Sequence, residues 1–178
     1  MSELYDQIVS QRGSLENLIA RIPGFRGYID KAARRTADRM VRDYVADALS
    51  QRINRLTSIE GKLLENGGLS YMSKTSSAKM KLQTFRDRVK AAAPGYSGWG
   101  EAIKVEEEEL ERLYSFDEAL MRYAGQFDTA LDALEQSVTS NEGVDAAISA
   151  LADLTTEANA AFLLREDVLT NLNKSLSS

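Results

Sequence analysis

A chain of 178 residues, 43% of them hydrophobic, is long enough and apolar enough to bury one sizeable core. It contains no Cys and no His, which excludes disulfides, thiolate metal sites, Cys nucleophiles and the Ser-His-Asp relay, and removes the commonest transition-metal ligand. The net charge of −5 is unevenly spread: residues 1–100 hold 17 Lys/Arg against 10 Asp/Glu (net +7), and residues 101–178 hold 5 against 17 (net −12).

The apolar spacing is helical almost throughout. A first helix is expected over about 3–22, with Leu4, Ile8, Leu15, Leu18, Ile19 and Ile22 on a broad stripe, Gly13 weakening its middle and Pro23-Gly24 ending it. A second runs about 27–66 through Ala37, Met40, Val41, Tyr44, Leu49, Ile53, Leu56, Ile59, Leu63 and Leu64, and stops at Asn66-Gly67-Gly68. Residues 67–77 read as a loop. A third helix spans about 77–93, with Met80, Leu82, Phe85 and Val89. After the linker Pro94–Gly100, a fourth runs about 100–138 through Leu113, Phe116, Leu120, Phe127, Leu131 and Leu134. A turn at Thr139–Gly143, with Ser140 or Asn141 as the next N-cap, leads to a fifth helix over about 142–174.

No segment shows strand alternation, no internal repeat is visible, and no run approaches the roughly 18 apolar residues of a membrane span. The charged N-terminal segment does not read as a signal peptide. The expectation is one all-α domain over residues 1–178, an elongated antiparallel bundle of about five helices, three of them long, in the cytoplasm.

Four features carry the functional question. At the start of the second helix, Lys31, Arg35, Arg39 and Arg42 fall within an arc of about 80° at helical spacing, with Ala33, Met40 and Tyr44 on the opposite side. Such a stripe suits phosphate, an anionic lipid surface or an acidic protein. It is equally a solvated face neutralised by pairs such as Arg34–Asp38 and Arg39–Asp43. The third helix is also basic: Lys74, Lys79, Lys81, Arg86, Arg88 and Lys90 stand against Asp87. It suits a membrane surface, or lies internally beside the acidic fourth helix. Nucleic acid is disfavoured by the overall negative charge and by the lack of a base-reading motif.

The fourth helix opens on Glu106–Glu109 and Glu111. Consecutive glutamates point around most of a helix and cannot converge on one ion; an i,i+4 pair such as Glu107 and Glu111 can share a hard cation, but di-iron bundles need His partners. No metal, cofactor or catalytic residue is therefore expected, and the glutamates suit the helix N-terminus electrostatically. The linker Pro94-Gly95-Tyr96-Ser97-Gly98-Trp99-Gly100 holds the single Trp between glycines. Tyr96 and Trp99 either cap the bundle or form a contact tip.

Two blocks carry a family resemblance. GYSGWGEAIKVEEEELERLYSFDEAL (95–120) and GYIDKAARRTADRMVRDYVADAL (27–49) resemble blocks in a family of uncharacterised prokaryotic helical proteins that accompany membrane scaffolds of the stomatin/prohibitin type. The resemblance implies a helical fold and no known activity, and it carries over no site residues.

The chain is thus expected to be a non-enzymatic interaction, adaptor or assembly protein with a protein partner or a second copy of itself. The alternative is a peripheral protein on an anionic membrane surface, using the basic faces of the second and third helices. In broad charge layout that alternative is similar to membrane-remodelling proteins of the ESCRT-III type.

Overall fold

The computed structural model describes residues 3–10, 13–28, 31–91 and 107–174, with side chains inside the helices described except at 31–34, 107 and 171–174. The described residues form six α-helices and no strand. They are α1 (Glu3–Val9), α2 (Ser14–Arg21), α3 (Lys31–Glu65), α4 (Met72–Lys90), α5 (Glu107–Ser140) and α6 (Val144–Lys174), with one 3-10 turn at Leu69–Tyr71. The protein is an all-α helical bundle.

Three boundaries depart from the sequence expectation for local reasons. The first helix is broken in two. Gly13 adopts a left-handed conformation (φ 74°) and its carbonyl accepts the Asn17 N–H, so it starts α2 instead of sitting inside one helix. α4 begins earlier than expected because the Ser/Thr-rich stretch after Met72 is helical. Thr75 is buried and its hydroxyl donates to the Met72 carbonyl at 3.1 Å, one turn back. At the α5–α6 turn neither Ser140 nor Asn141 is the N-cap. Asn141 takes a positive φ of 58° after the last turn of α5, the Glu142 N–H reaches back to the Ser137 carbonyl, and Gly143 starts α6.

The chain divides into two compact units. Unit 1 comprises Met1–Tyr44, Ala91–Met121 and Ala160–Ser178; unit 2 comprises Val45–Lys90 and Arg122–Asn159. α3, α5 and α6 contribute residues to both.

Unit 2 is built on the apolar stripes read from the sequence: Leu49, Ile53, Leu56 and Ile59 of α3 close on Leu82, Phe85, Phe127, Leu131, Leu134, Ile148 and Leu151, all buried. Met80 and Leu64, expected on those stripes, are exposed. Around this core the two charge classes meet. Arg52 binds Asp128 at 2.5 Å; Arg55 binds Asp128, Asp132 and Glu135; Lys62 binds Glu135. Partners ascend together in both helices, so α3 and α5 run parallel as neighbours. The same holds for α4 and α6, where Lys74 meets Asp145 (2.8 Å) and Arg88 meets Asn159 (2.5 Å). Each tight turn joins an antiparallel pair, α3–α4 and α5–α6, and the two hairpins pack side by side. The basic α4 therefore finds acids on α6 and at Glu60 of α3, while α3 takes those of α5. The exposed pairs among these, such as Lys74–Asp145, are each worth about 0–1 kcal/mol and fix which helices meet more than how stably.

Unit 1 packs Ile8 of α1, Leu18 of α2, Ile22, Phe25 and Tyr28 against Val41, Leu113, Phe116 and Phe162, all buried. Aromatic contacts tie its pieces: Tyr5 lies 5.6 Å from Phe116 between ring centroids, and Tyr28 lies 5.4 Å from Tyr114.

Candidate functional site

The most unusual chemistry in the molecule lies inside unit 1. Arg165 of α6 is 0% exposed, and all three of its guanidinium nitrogens are engaged. Nε donates to Asp117 Oδ1 at 2.6 Å, Nη2 to Asp38 Oδ1 at 2.7 Å and to the Tyr28 hydroxyl at 3.2 Å, and Nη1 to Glu166 Oε1 at 3.0 Å. Arg42, one turn beyond Asp38 on α3, closes a ring: its guanidinium lies 3.1 Å from Asp38 Oδ2 and 3.2 Å from Glu166 Oε1. It also donates to the Ala91 carbonyl and sits 5.7 Å above the centre of the Phe162 ring. Two arginines thus share two carboxylates, Asp38 and Glu166.

Asp117 and Tyr28 complete the cluster. Asp117 is 0% exposed and receives a short hydrogen bond from the Tyr28 hydroxyl beside the one from Arg165. Burial pushes its carboxyl above the ordinary value of 3.8, while the Arg165 charge and the two donors pull it back. Burial also drives the Tyr28 hydroxyl well above 10, aided by the neighbouring Asp117 charge, so Tyr28 remains a donor. The Tyr28 N–H in turn donates to the Tyr114 hydroxyl at 2.9 Å. On the flank, buried Glu118 accepts from Ser14 Oγ at 3.1 Å and Asn17 Nδ2 at 3.0 Å, which docks the first turn of α2.

The sequence-derived site residues fare differently. Arg35 and Arg39 are exposed on α3. Arg42 is not part of an exposed stripe: it is 4% exposed and belongs to the interior ring. The reason is the orientation of α3. Its buried face in unit 1 carries Ala37, Asp38, Val41 and Arg42, whereas Met40 and Tyr44, expected on the apolar side, are only half-buried. A charged face of this kind suits solvent or an anion, yet here Asp38 and Arg42 pair with Arg165 and Glu166 of α6 and enter the core. The Lys31 side chain, Tyr96 and Trp99 lie outside the described residues.

Sequence reasoning missed Asp38, Asp117, Arg165 and Tyr28 as a group, although a signal existed. Arg165 stands on the stripe Ala158, Ala161, Phe162, Leu169, and Asp117 on Leu113, Leu120, Ala124. A charge on an apolar stripe needs a buried partner.

The surface of unit 1 carries an open groove of about 1220 Å³ between α1, the start of α2 and the first turns of α5. Tyr5, Val9, Leu15, Leu110 and Tyr114 line it with apolar surface, and Asp6, Glu16, Glu108 and Glu111 supply carboxylates. Arg112 is its one cation among the described lining residues and is held by Glu108 at 2.6 Å.

No protein-family model, no curated protein and no solved structure matches the chain. What the chain can do is read from its own side chains. Among the described residues no group of three or more carboxylates is placed to hold a metal ion, and no helix is long and apolar enough to cross a membrane. The arginine–carboxylate ring can neutralise its own charge and lock α3, α5 and α6 of unit 1 in one register.

Proposed function

We propose that this chain is a non-enzymatic interaction or assembly protein that acts by presenting surface to a partner. One observation carries the reading. The buried groups of unit 1 whose protonation the fold shifts, Tyr28 and Asp117, are sealed in the interior and bonded to Arg165, and neither lines the groove. Catalysis places its perturbed groups where a substrate can touch them. Here the interior chemistry is structural, and what faces solvent is recognition chemistry: carboxylates, aromatic edges and the arginines of α3. The resemblance of residues 27–49 and 95–120 to blocks in helical proteins that accompany membrane scaffolds points to the same class. In-cell cross-linking followed by mass spectrometry tests it. A stoichiometric partner linked to the same surface in repeated experiments is expected; recovery of the chain alone at native abundance contradicts it.

A second reading, a peripheral membrane-surface protein, is favoured by unit 2. Met80 of α4 is 66% exposed and adjoins exposed Lys81 in sequence, and Leu69, before α4, is 73% exposed. Exposed apolar side chains beside a cation suit the interface of an anionic bilayer. Co-sedimentation with anionic and neutral vesicles separates the readings: salt-sensitive binding to anionic vesicles alone supports the membrane surface, and no binding removes it.

A further inference from the structure

We propose that the groove of unit 1 is the docking site for a basic amphipathic helical segment of a partner protein; this rests on the reading of the chain as an interaction protein and names the partner's chemistry. Three observations point to that occupant.

The first is charge. Asp6, Glu16 and Glu111 are exposed and make no ion pair among the described residues, whereas the carboxylates of unit 2 described above are matched by Arg52, Arg55, Lys62, Lys74 and Lys79. Among the described residues that line the groove, the one arginine, Arg112, pairs with Glu108. A concavity with three carboxylates that have no ion pair among the described residues attracts cations and repels phosphate, so an anionic membrane or a nucleic acid does not fit it.

The second is the floor. Tyr5, Val9, Leu15 and Leu110 are half-buried, each leaving apolar surface facing the opening. A hydrated polyamine or metal cation gains nothing from such surface. A peptide that presents apolar side chains on one side and Lys or Arg on the other uses both the floor and the rim.

The third is size. An α-helix with side chains is about 10–12 Å across and rises about 5.4 Å per turn. A volume of about 1220 Å³ therefore accommodates roughly two helical turns. That is enough for two apolar anchors at i and i+3 or i+4, flanked by basic residues.

The rim is also preformed. Glu16 stands on the first turn of α2, whose position is fixed by Ser14 and Asn17 bonding to buried Glu118. Glu111 stands on α5 one to two turns before Tyr114 and Asp117, which are anchored to Tyr28 and Arg165. The buried network thus holds the groove walls that the partner reads, and a preorganised site loses less entropy on binding.

The test is fluorescence anisotropy with a labelled Leu/Lys amphipathic peptide of about 14 residues and a Leu/Glu peptide of the same pattern. The protein is the full chain, the triple variant D6N/E16Q/E111Q, and a charge-matched control, E142Q/D153N/D167N, whose three residues are exposed elsewhere. The Lys peptide is expected to bind, more weakly as salt rises, and the Glu peptide not to bind. The triple variant should lose at least about tenfold in affinity and the control should not. Circular dichroism melts of all three proteins should coincide, because every changed residue is on the surface. Equal losses in triple variant and control overturn the proposal, since they report bulk charge only. No binding to the wild-type chain overturns it as well, as does concentration-dependent self-association abolished by the triple variant, which would give the groove to a second copy. A cellular partner that still binds the triple variant overturns the groove and leaves the interaction reading standing. The absence of any cellular partner removes that wider reading.

Discussion

Replacing Arg165 by Met removes the one cation that touches Asp117, Asp38, Glu166 and Tyr28 together, while filling similar space with an apolar chain. Arg42 still faces Asp38 and Glu166. Asp117, 0% exposed, keeps only the Tyr28 hydroxyl. Breaking a buried pair by deleting one partner costs about 3–5 kcal/mol, because an uncompensated charge is left in the interior. Against a typical total of about 5–15 kcal/mol this is a large fraction of the fold's stability. The cost should depend on pH. The Asp117 carboxyl already lies above its ordinary 3.8 through burial, so its bound proton favours the folded state. That stabilisation is full below 3.8 and is lost as pH rises through the folded value. Arg165 pulls the folded value down, so R165M raises it further and widens the window. Urea unfolding followed by circular dichroism should therefore show a deficit that is largest at neutral pH and shrinks in mild acid. Adding D117N to R165M should recover part of the loss, a coupling of about 0.5–3 kcal/mol. A deficit below about 1 kcal/mol, independent of pH and additive with D117N, would refute the buried-network reasoning.

Other expectations follow from single positions. Gly27 has φ 84° and an added Cβ would lie 2.5 Å from the Tyr114 hydroxyl, so G27A should cost roughly 1–3 kcal/mol in thermal unfolding; an unchanged melting temperature contradicts the close approach. Lys62 and then Arg55 hold the half-buried Glu135 carboxyl below its ordinary 4.5, so its contribution to stability is present above 4.5 and lost as pH falls through the lower folded value. An NMR titration should show that depression, and K62M should reduce it; an ordinary titration in the wild-type chain would dismiss the ion pairs as insignificant in solution. Tyr123 is raised above its ordinary 10 by burial and by its 2.9 Å hydrogen bond to Glu157, and Tyr28 is raised well above 10. In an alkaline absorbance titration both should ionise only as the fold is lost, so that Y28F and Y123F leave the earlier phase unchanged.

Much of the fold was legible because apolar residues dominate the buried faces of unit 2. Leu49, Ile53, Leu56 and Ile59 recur at helical steps with nothing ambiguous between them. Two kinds of information were not local. Gly13, at one position in twenty, reads as a weak point within a helix; only the partners of Ser14 and Asn17 on α5 make a break there favourable. Likewise, the orientation of α3 in unit 1 depends on Arg165, more than a hundred residues away in sequence. The sequence pairs Asp38 with Arg34 on a solvated face, whereas Asp38 in fact bonds Arg42 and Arg165 inside the core. The groove was illegible for a related reason. Its carboxylates come from α1, α2 and α5, and the glutamate run that opens α5 appears in sequence as a solvated helix start. The sequence reading points to the basic stripe of α3 and the aromatic linker as contact surfaces, and the groove joins them as a further shaped surface, one rich in carboxylates.

The measurement that bears most directly on a sealed, structural interior with recognition left to the surface is hydrogen exchange at the arginine Nε–H groups, followed by NMR on the full chain. R165M assigns the Arg165 signal by its disappearance. The Arg165 Nε–H, donated to Asp117 at 2.6 Å with the residue 0% exposed, should be resolved and strongly protected, while that of exposed Arg39 exchanges rapidly. An Arg165 signal that exchanges as fast as Arg39 would place its charge in solvent and contradict the buried network.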